Sequence, residues 1–239
     1  MLEPIEKKSL SDEVFEQLRD QIVCGDRQPG STLPGERSLS EALEVNRGAV
    51  REALKRLEQA GLVARRHGGA TRVLDYRETA GSGLLVELLF TSRGIDVDVA
   101  RGVMELRTAL AADAAGRAAR RNPEVAEHLF GIVDRMRGEE GLEALMEANL
   151  EFWEHVIDAS ENVAYRLTSN SVREVYERLG STLVAVLTDE ITDRDAHEDI
   201  AEAIAEGDVG DAEHAARELL ARGERCVARL TELEEESDE

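Results

Sequence analysis

Apolar residues recur at helical spacing over most of this chain, and the rhythm breaks in one region only. Val14, Phe15, Leu18, Ile22 and Val23 mark a first helix over 10–25, which Gly25 can end. Pro29-Gly30 makes a turn, Pro34 stops any strand, and 36–43 follows as a short helix. Val45-Asn46 bends the chain into a second helix over 47–61, with Val50, Leu54 and Leu57 as its inward stripe. Residues 62–65 and 71–74 alternate with the period of strands instead, and His67-Gly68-Gly69-Ala70 supplies the glycine-rich turn between them.

Beyond residue 76 the pattern is helical almost without interruption. Helices are expected over 84–90 and 97–121, and Asn122-Pro123 caps and opens a new one. Others follow over 142–159, from Asn162 towards Val186, over 193–206 with Gly207 as the stop, and over 211–233. No strand is expected there. The predicted fold is mostly α: an N-terminal winged helix-turn-helix with a small β-hairpin wing, then an all-α bundle of six or seven helices. The predicted domains are 1–76, 77–234 and an acidic tail over 235–239, frayed and solvated.

A short helix, a tight turn, a second helix with arginines at its exposed start and a basic hairpin form the layout that places a helix in the major groove of DNA. The net charge of −22 argues against such a partner until it is divided along the chain. Residues 1–75 carry −1, residues 76–239 carry −21, and the stretch 27–72 is locally +4. One segment can therefore approach phosphate while the remainder repels it. Arg37, Arg47 and Arg51 are the expected DNA contacts, as bidentate readers of guanine or as phosphate clamps. Asn46, Gly48 and Ala49 lie close enough for backbone or base-edge approach. His67, Gly68, Gly69 and Thr71 form the expected wing tip, where small residues allow close contact. One such module buries little surface, so a homodimer on a palindromic operator is the expected way to useful affinity.

Two distant cysteines, Cys24 and Cys226, point to free thiols in a reducing compartment. With no signal pattern and no apolar run long enough to span a bilayer, a cytoplasmic chain with no membrane partner is expected. His128, His155, His197 and His214 sit in no nucleophile or phosphate-binding motif, so no enzyme is expected.

With these residues laid out, the chain resembles the GntR family of bacterial transcription regulators. The likeness is carried by Pro29-Gly30, Leu33-Pro34-Gly35-Glu36-Arg37, Leu39-Ser40, and Arg47 through Val50-Arg51-Glu52-Ala53-Leu54, Leu57 and Gly61-Leu62. The helical remainder is similar to the FadR branch, through Glu105-Leu106-Arg107-Thr108-Ala109-Leu110, Ala159-Ser160-Glu161-Asn162, and His197 with Ile200, Ala203-Ile204 and Gly207-Asp208. The resemblance implies an all-α effector-binding second domain. Many members of the branch hold a divalent metal there with one aspartate and three histidines, positions occupied here by Asn149, Trp153, His197 and Leu219. Only His197 could ligate strongly, and no metal or other cofactor is expected.

The branch's fatty-acid regulators also lack that metal set and bind long-chain acyl-CoA, which makes an acyl-CoA one expected effector. Trp153, Leu219, Leu183, Val186 and Phe152 could line an acyl slot, and Arg107 and Tyr176 match ligand-site positions of those regulators. The expected ligand-binding residues are thus Arg107, Trp153, Tyr176, Leu183, His197 and Leu219. Leu219-Leu220-Ala221-Arg222-Gly223 departs from the fatty-acid regulators' pattern, so a small carboxylate or other metabolite stands as the alternative, with a filled core as a third. The helix at 79–90 is the expected lever between ligand and DNA.

Overall fold

The computed structural model describes residues 9–65 and 70–237, with side chains described up to Ala228 and Arg229 in the last helix. It divides into two compact units, Met1–Asp96 and Val97–Glu239.

The first unit begins with α1, Leu10–Val23. Ser9 caps it reciprocally: its hydroxyl accepts from the Asp12 backbone while the Asp12 carboxylate accepts from the Ser9 amide. Helix α2 spans Glu36–Ala42 and α3 spans Arg47–Gln59. The expected stripe of α3 is fully inward, with Val50, Leu54 and Leu57 buried against Val14, Phe15, Leu18 and Ile22 of α1. Strands β1, Val63–Arg65, and β2, Thr71–Val73, pair antiparallel with Val63 opposite Val73. The preceding turn adds to this hairpin. Thr32 bridges Arg72, and the Gly30 and Leu33 amides donate to the Val73 and Thr71 carbonyls. That extra edge has no alternating pattern of its own, because Pro29 and Pro34 leave room for only a few residues between them.

Gly61 ends the α3 region at a position only glycine can hold. Its φ is +75°, and a Cβ there would lie 2.8 Å from the Thr79 carbonyl oxygen. After the wing come α4, Tyr76–Thr79, a single 3₁₀ turn, and α5, Leu85–Leu89. The expected continuous helix over 84–90 stops at Leu89, and a small hairpin follows, β3 at Phe90–Thr91 and β4 at Gly94–Ile95. This corrects the expectation of no strand beyond residue 76. The segment 77–96 also falls with the first unit rather than with the bundle. Buried Arg19 of α1 bonds Glu87, the Asp20 carboxylate accepts from the Ser92 amide at 2.7 Å, and Leu84 joins the α1–α3 core.

The second unit is helical throughout its described residues. It runs α6 Val97–Arg121, α7 Ala126–Arg137, α8 Leu142–Ala159, α9 Val163–Leu179, α10 Ser181–Val186, α11 Thr188–Ile191, α12 Arg194–Glu206 and α13 Val209–Ser237. Six of these are long, in line with the expected bundle. The helix expected from Asn162 to Val186 breaks at Gly180, whose φ of +51° ends α9 and restarts the chain as α10. Alanine at 111, 112, 114, 115, 118 and 119 gives α6 a nearly smooth buried face, on which α13 lies. Helix α13 runs on through most of the charge run expected as a frayed tail.

Candidate functional site

The start of α3 is built as a presenting surface. Asn46 stands just before the helix and its Oδ1 accepts from the Ala49 amide at 2.9 Å, so it caps the helix that carries the arginines. Arg47, Gly48 and Arg51 are exposed. Ala49 is buried and its amide is taken by the cap, which corrects its expected role at the base edges. Arg47 has no hydrogen bond or ion pair among the described residues. Arg51 reaches back to Glu36 at the first turn of α2, 3.0 Å away, and Arg65 of the wing strand reaches the same carboxylate at 3.0 Å. The hydrogen bond from Arg51 holds the Glu36 carboxyl below its usual range. Arg37 is exposed and pairs with Glu41 one turn on. Thr71 lies in β2 and is half-buried. His67, Gly68 and Gly69, the expected wing tip, lie outside the described residues.

In the second unit, a cavity of about 50 Å³ opens between α6, α8 and α9. Its apolar walls are Leu110, Ala111, Leu150, Trp153, Ile157 and Val172, and its polar groups include Arg107 and Tyr176. Three of the expected ligand residues, Arg107, Trp153 and Tyr176, therefore meet at one cavity. Leu183, His197 and Leu219 do not line it, nor do Phe152 and Val186. Leu183, Leu219, His197 and Phe152 are buried in the packing of the bundle instead. Helical spacing reveals that a residue faces inward but not which inward gap it borders.

Behind the cavity is a buried polar chain. Arg107 of α6 grips Glu190 of α11 with two hydrogen bonds, one of 2.8 Å, and Glu190 is fully buried. Burial opposes the charge on Arg107, but Glu190 more than offsets this and raises its pKa. Asn149 Nδ2 donates to Glu190 at 3.2 Å, while Asn149 Oδ1 accepts from the Trp153 indole at 3.1 Å. The same oxygen lies 2.9 Å from His197 Nε2, and His197 Nδ1 donates to the Asp193 carbonyl at 2.7 Å. Burial holds the His197 pKa below its usual range. Tyr176 is pushed up to about 12 by burial, so its hydroxyl stays protonated.

These residues do not fit the divalent metal that the family resemblance raises. Both polar atoms of Asn149 are already bonded, Trp153 and Leu219 offer no donor, and Glu190 is held by Arg107. Sequence reading missed Glu190 altogether. It lies 83 residues from Arg107 in a polar run, Thr188-Asp189-Glu190, that reads as surface.

A winged helix-turn-helix with exposed arginines at its second helix, joined to a helical unit with a largely apolar cavity backed by a buried polar chain, defines a DNA-binding regulator with a separate effector domain. Comparison with known proteins agrees. The model of the bacterial regulatory proteins of the gntR family matches residues 10–73, and the FCD domain model matches residues 102–222. The chain is 40% identical over 220 residues to the HTH-type transcriptional regulator Mce2R of Mycobacterium tuberculosis, covering 92% of each. It is equally similar to the uncharacterized HTH-type transcriptional regulator Mb0601 of Mycobacterium bovis. It is also 32% identical over 152 residues to the fatty acid metabolism regulator protein of Cronobacter sakazakii, covering 64% of this chain and 63% of that one. A solved structure of Lar, described as controlling the Listeria monocytogenes agr system, shares the fold at a TM-score of 0.57 and 19% identity, covering 95% of this chain and all of that one. The chain belongs to the GntR family: it is a DNA-binding transcription regulator with an effector-binding FCD domain, and not an enzyme.

Proposed function

We propose that this regulator binds a palindromic operator as a homodimer in the cytoplasm and changes its operator affinity when an acyl-CoA occupies the bundle. The observation that carries the reading is the meeting of Trp153, Arg107 and Tyr176 at one apolar cavity. Support comes also from the relatives named as fatty acid metabolism regulators. No helix among the described residues is long and apolar enough to cross a membrane. Arg47 and Arg51 carry DNA recognition in this reading, with Arg37, Asn46, Gly48, Thr71 and the wing tip at His67, Gly68 and Gly69 as flanking contacts.

Each buried methylene contributes roughly 0.8 kcal/mol, so affinity for acyl-CoA should climb with chain length until the slot is full. Trp153 is the chain's only tryptophan and lines the cavity, so its fluorescence reports occupancy. The test is a titration with acyl-CoA of increasing length, read by that fluorescence and by operator binding. A flat length dependence with unchanged operator affinity removes acyl-CoA as the effector.

One observation favours a second reading. The cavity of about 50 Å³ has room for a few small groups, and a long chain enters only if α8 and α9 part. A compact metabolite would fit without that movement, and short ligands shifting operator affinity would select this reading.

A further inference from the structure

Tyr176 is 7% exposed and borders the cavity, yet its hydroxyl has no hydrogen-bond partner among the described residues. A buried hydroxyl left alone is costly, and no protein acceptor among the described residues lies within hydrogen-bond reach of it. The charges around the same cavity are all answered. Arg107 is gripped by fully buried Glu190. Arg173, at the solvent edge, pairs with Glu154 and with Glu177 at 3.2 Å. The cavity thus presents the Tyr176 hydroxyl as its buried unpaired donor, with the half-buried Ser169 hydroxyl also at its wall, and no uncompensated cation.

We infer that the cavity selects a neutral hydrogen-bond acceptor carried on an apolar group, such as a thioester, ester or amide carbonyl, and rejects a free carboxylate. Glu190 is the specificity-determining residue, because it neutralises the guanidinium that a carboxylate would otherwise seek. An anion entering this site would leave water and meet Arg107 already paired, with the Glu190 charge beside it. A neutral carbonyl loses little water and takes the Tyr176 hydrogen bond. The inference rests on the reading of this cavity as the effector site and goes beyond it by fixing the charge of the group that enters.

The experiment compares butanamide and octanamide with butanoate and octanoate on the full-length protein, followed by Trp153 fluorescence. The expected result is binding of the amides at least about tenfold tighter than the carboxylates of equal length. Tyr176→Phe should weaken amide binding about three- to tenfold. Glu190→Gln should favour octanoate by at least about tenfold, since Arg107 is then unanswered. If Glu190→Gln does not fold, the amide-to-carboxylate ratio and the Tyr176→Phe result still decide the matter. Equal binding of amide and carboxylate, or amide binding indifferent to Tyr176→Phe, overturns the inference while leaving the effector site standing. Binding of neither class removes the effector site itself, and the inference with it.

Discussion

Asn149 Oδ1 lies 2.9 Å from His197 Nε2 and accepts the Trp153 indole proton at 3.1 Å. The family resemblance puts these three residues at metal-ligand positions, and here they contact one another. His197 Nδ1 faces the Asp193 carbonyl, so both ring nitrogens point at acceptors. The cluster is a polar plug that joins α8 to α12, with Glu190 extending it to α6.

The purified protein should therefore contain well under one equivalent of zinc, nickel or manganese. Chelator should leave its melting temperature unmoved, because no folding free energy is linked to metal. Elemental analysis checks the first statement and thermal melts with and without chelator the second. Stoichiometric metal would require Asn149 and Trp153 to swing apart.

At the DNA surface, Arg47 and Arg51 start from different states. Arg47 is unpaired among the described residues, whereas Arg51 shares Glu36 with Arg65. Either arginine changed to alanine should cost about 1–3 kcal/mol of specific binding if it reads a base, with helical content unchanged. Glu36→Gln should strengthen binding to nonspecific duplex and steepen its salt dependence, since two guanidinium groups are released towards phosphate. Electrophoretic or fluorescence titrations at several salt concentrations separate these effects. Operator binding like the parent's in both arginine variants would show that α3 is not the reading helix.

How far the sequence reveals these features depends on how local their causes are. The α3 stripe, the bend at Val45-Asn46 and the Gly207 stop all follow from neighbours within a turn or two, whereas the Ser9 and Asn46 caps emerge only with the structure. The Phe90–Ile95 hairpin escapes because its strands are two residues each, too short for alternation to register. Gly180 looks like any glycine in a polar helix until its positive φ is seen. The cavity is harder still. Arg107, Trp153 and Tyr176 line it, but Leu183, His197 and Leu219 face inward just as much and pack elsewhere. Glu190 could be found only by knowing that α11 folds back onto α6.

Gly61 offers a stability test in the first unit. Gly61→Ala should destabilise the protein by more than the roughly 1 kcal/mol of an ordinary glycine change. Its φ is +75°, and the new methyl would press on the Thr79 carbonyl 2.8 Å away. Thermal melting measures this. A Tm equal to the parent's would mean that the turn beside Thr79 yields freely, and that the Thr79 hydroxyl's 2.8 Å bond to the Gly61 carbonyl does not fix it.

The Arg107–Glu190 pair should behave as a buried ion pair does when one partner is removed. Arg107→Leu or Glu190→Leu alone should cost about 3–5 kcal/mol, because each leaves a desolvated charge unanswered. Glu190→Leu also strips the Asn149 amide of its acceptor, so its cost should sit at the upper end of that range. The double change to leucine should cost much less than the sum of the two, since both charges then leave together. Urea denaturation of the four proteins measures the coupling directly. Additive costs would mean that water reaches the pair in solution, despite a Glu190 side chain with 0% exposure and an Arg107 side chain with 7%.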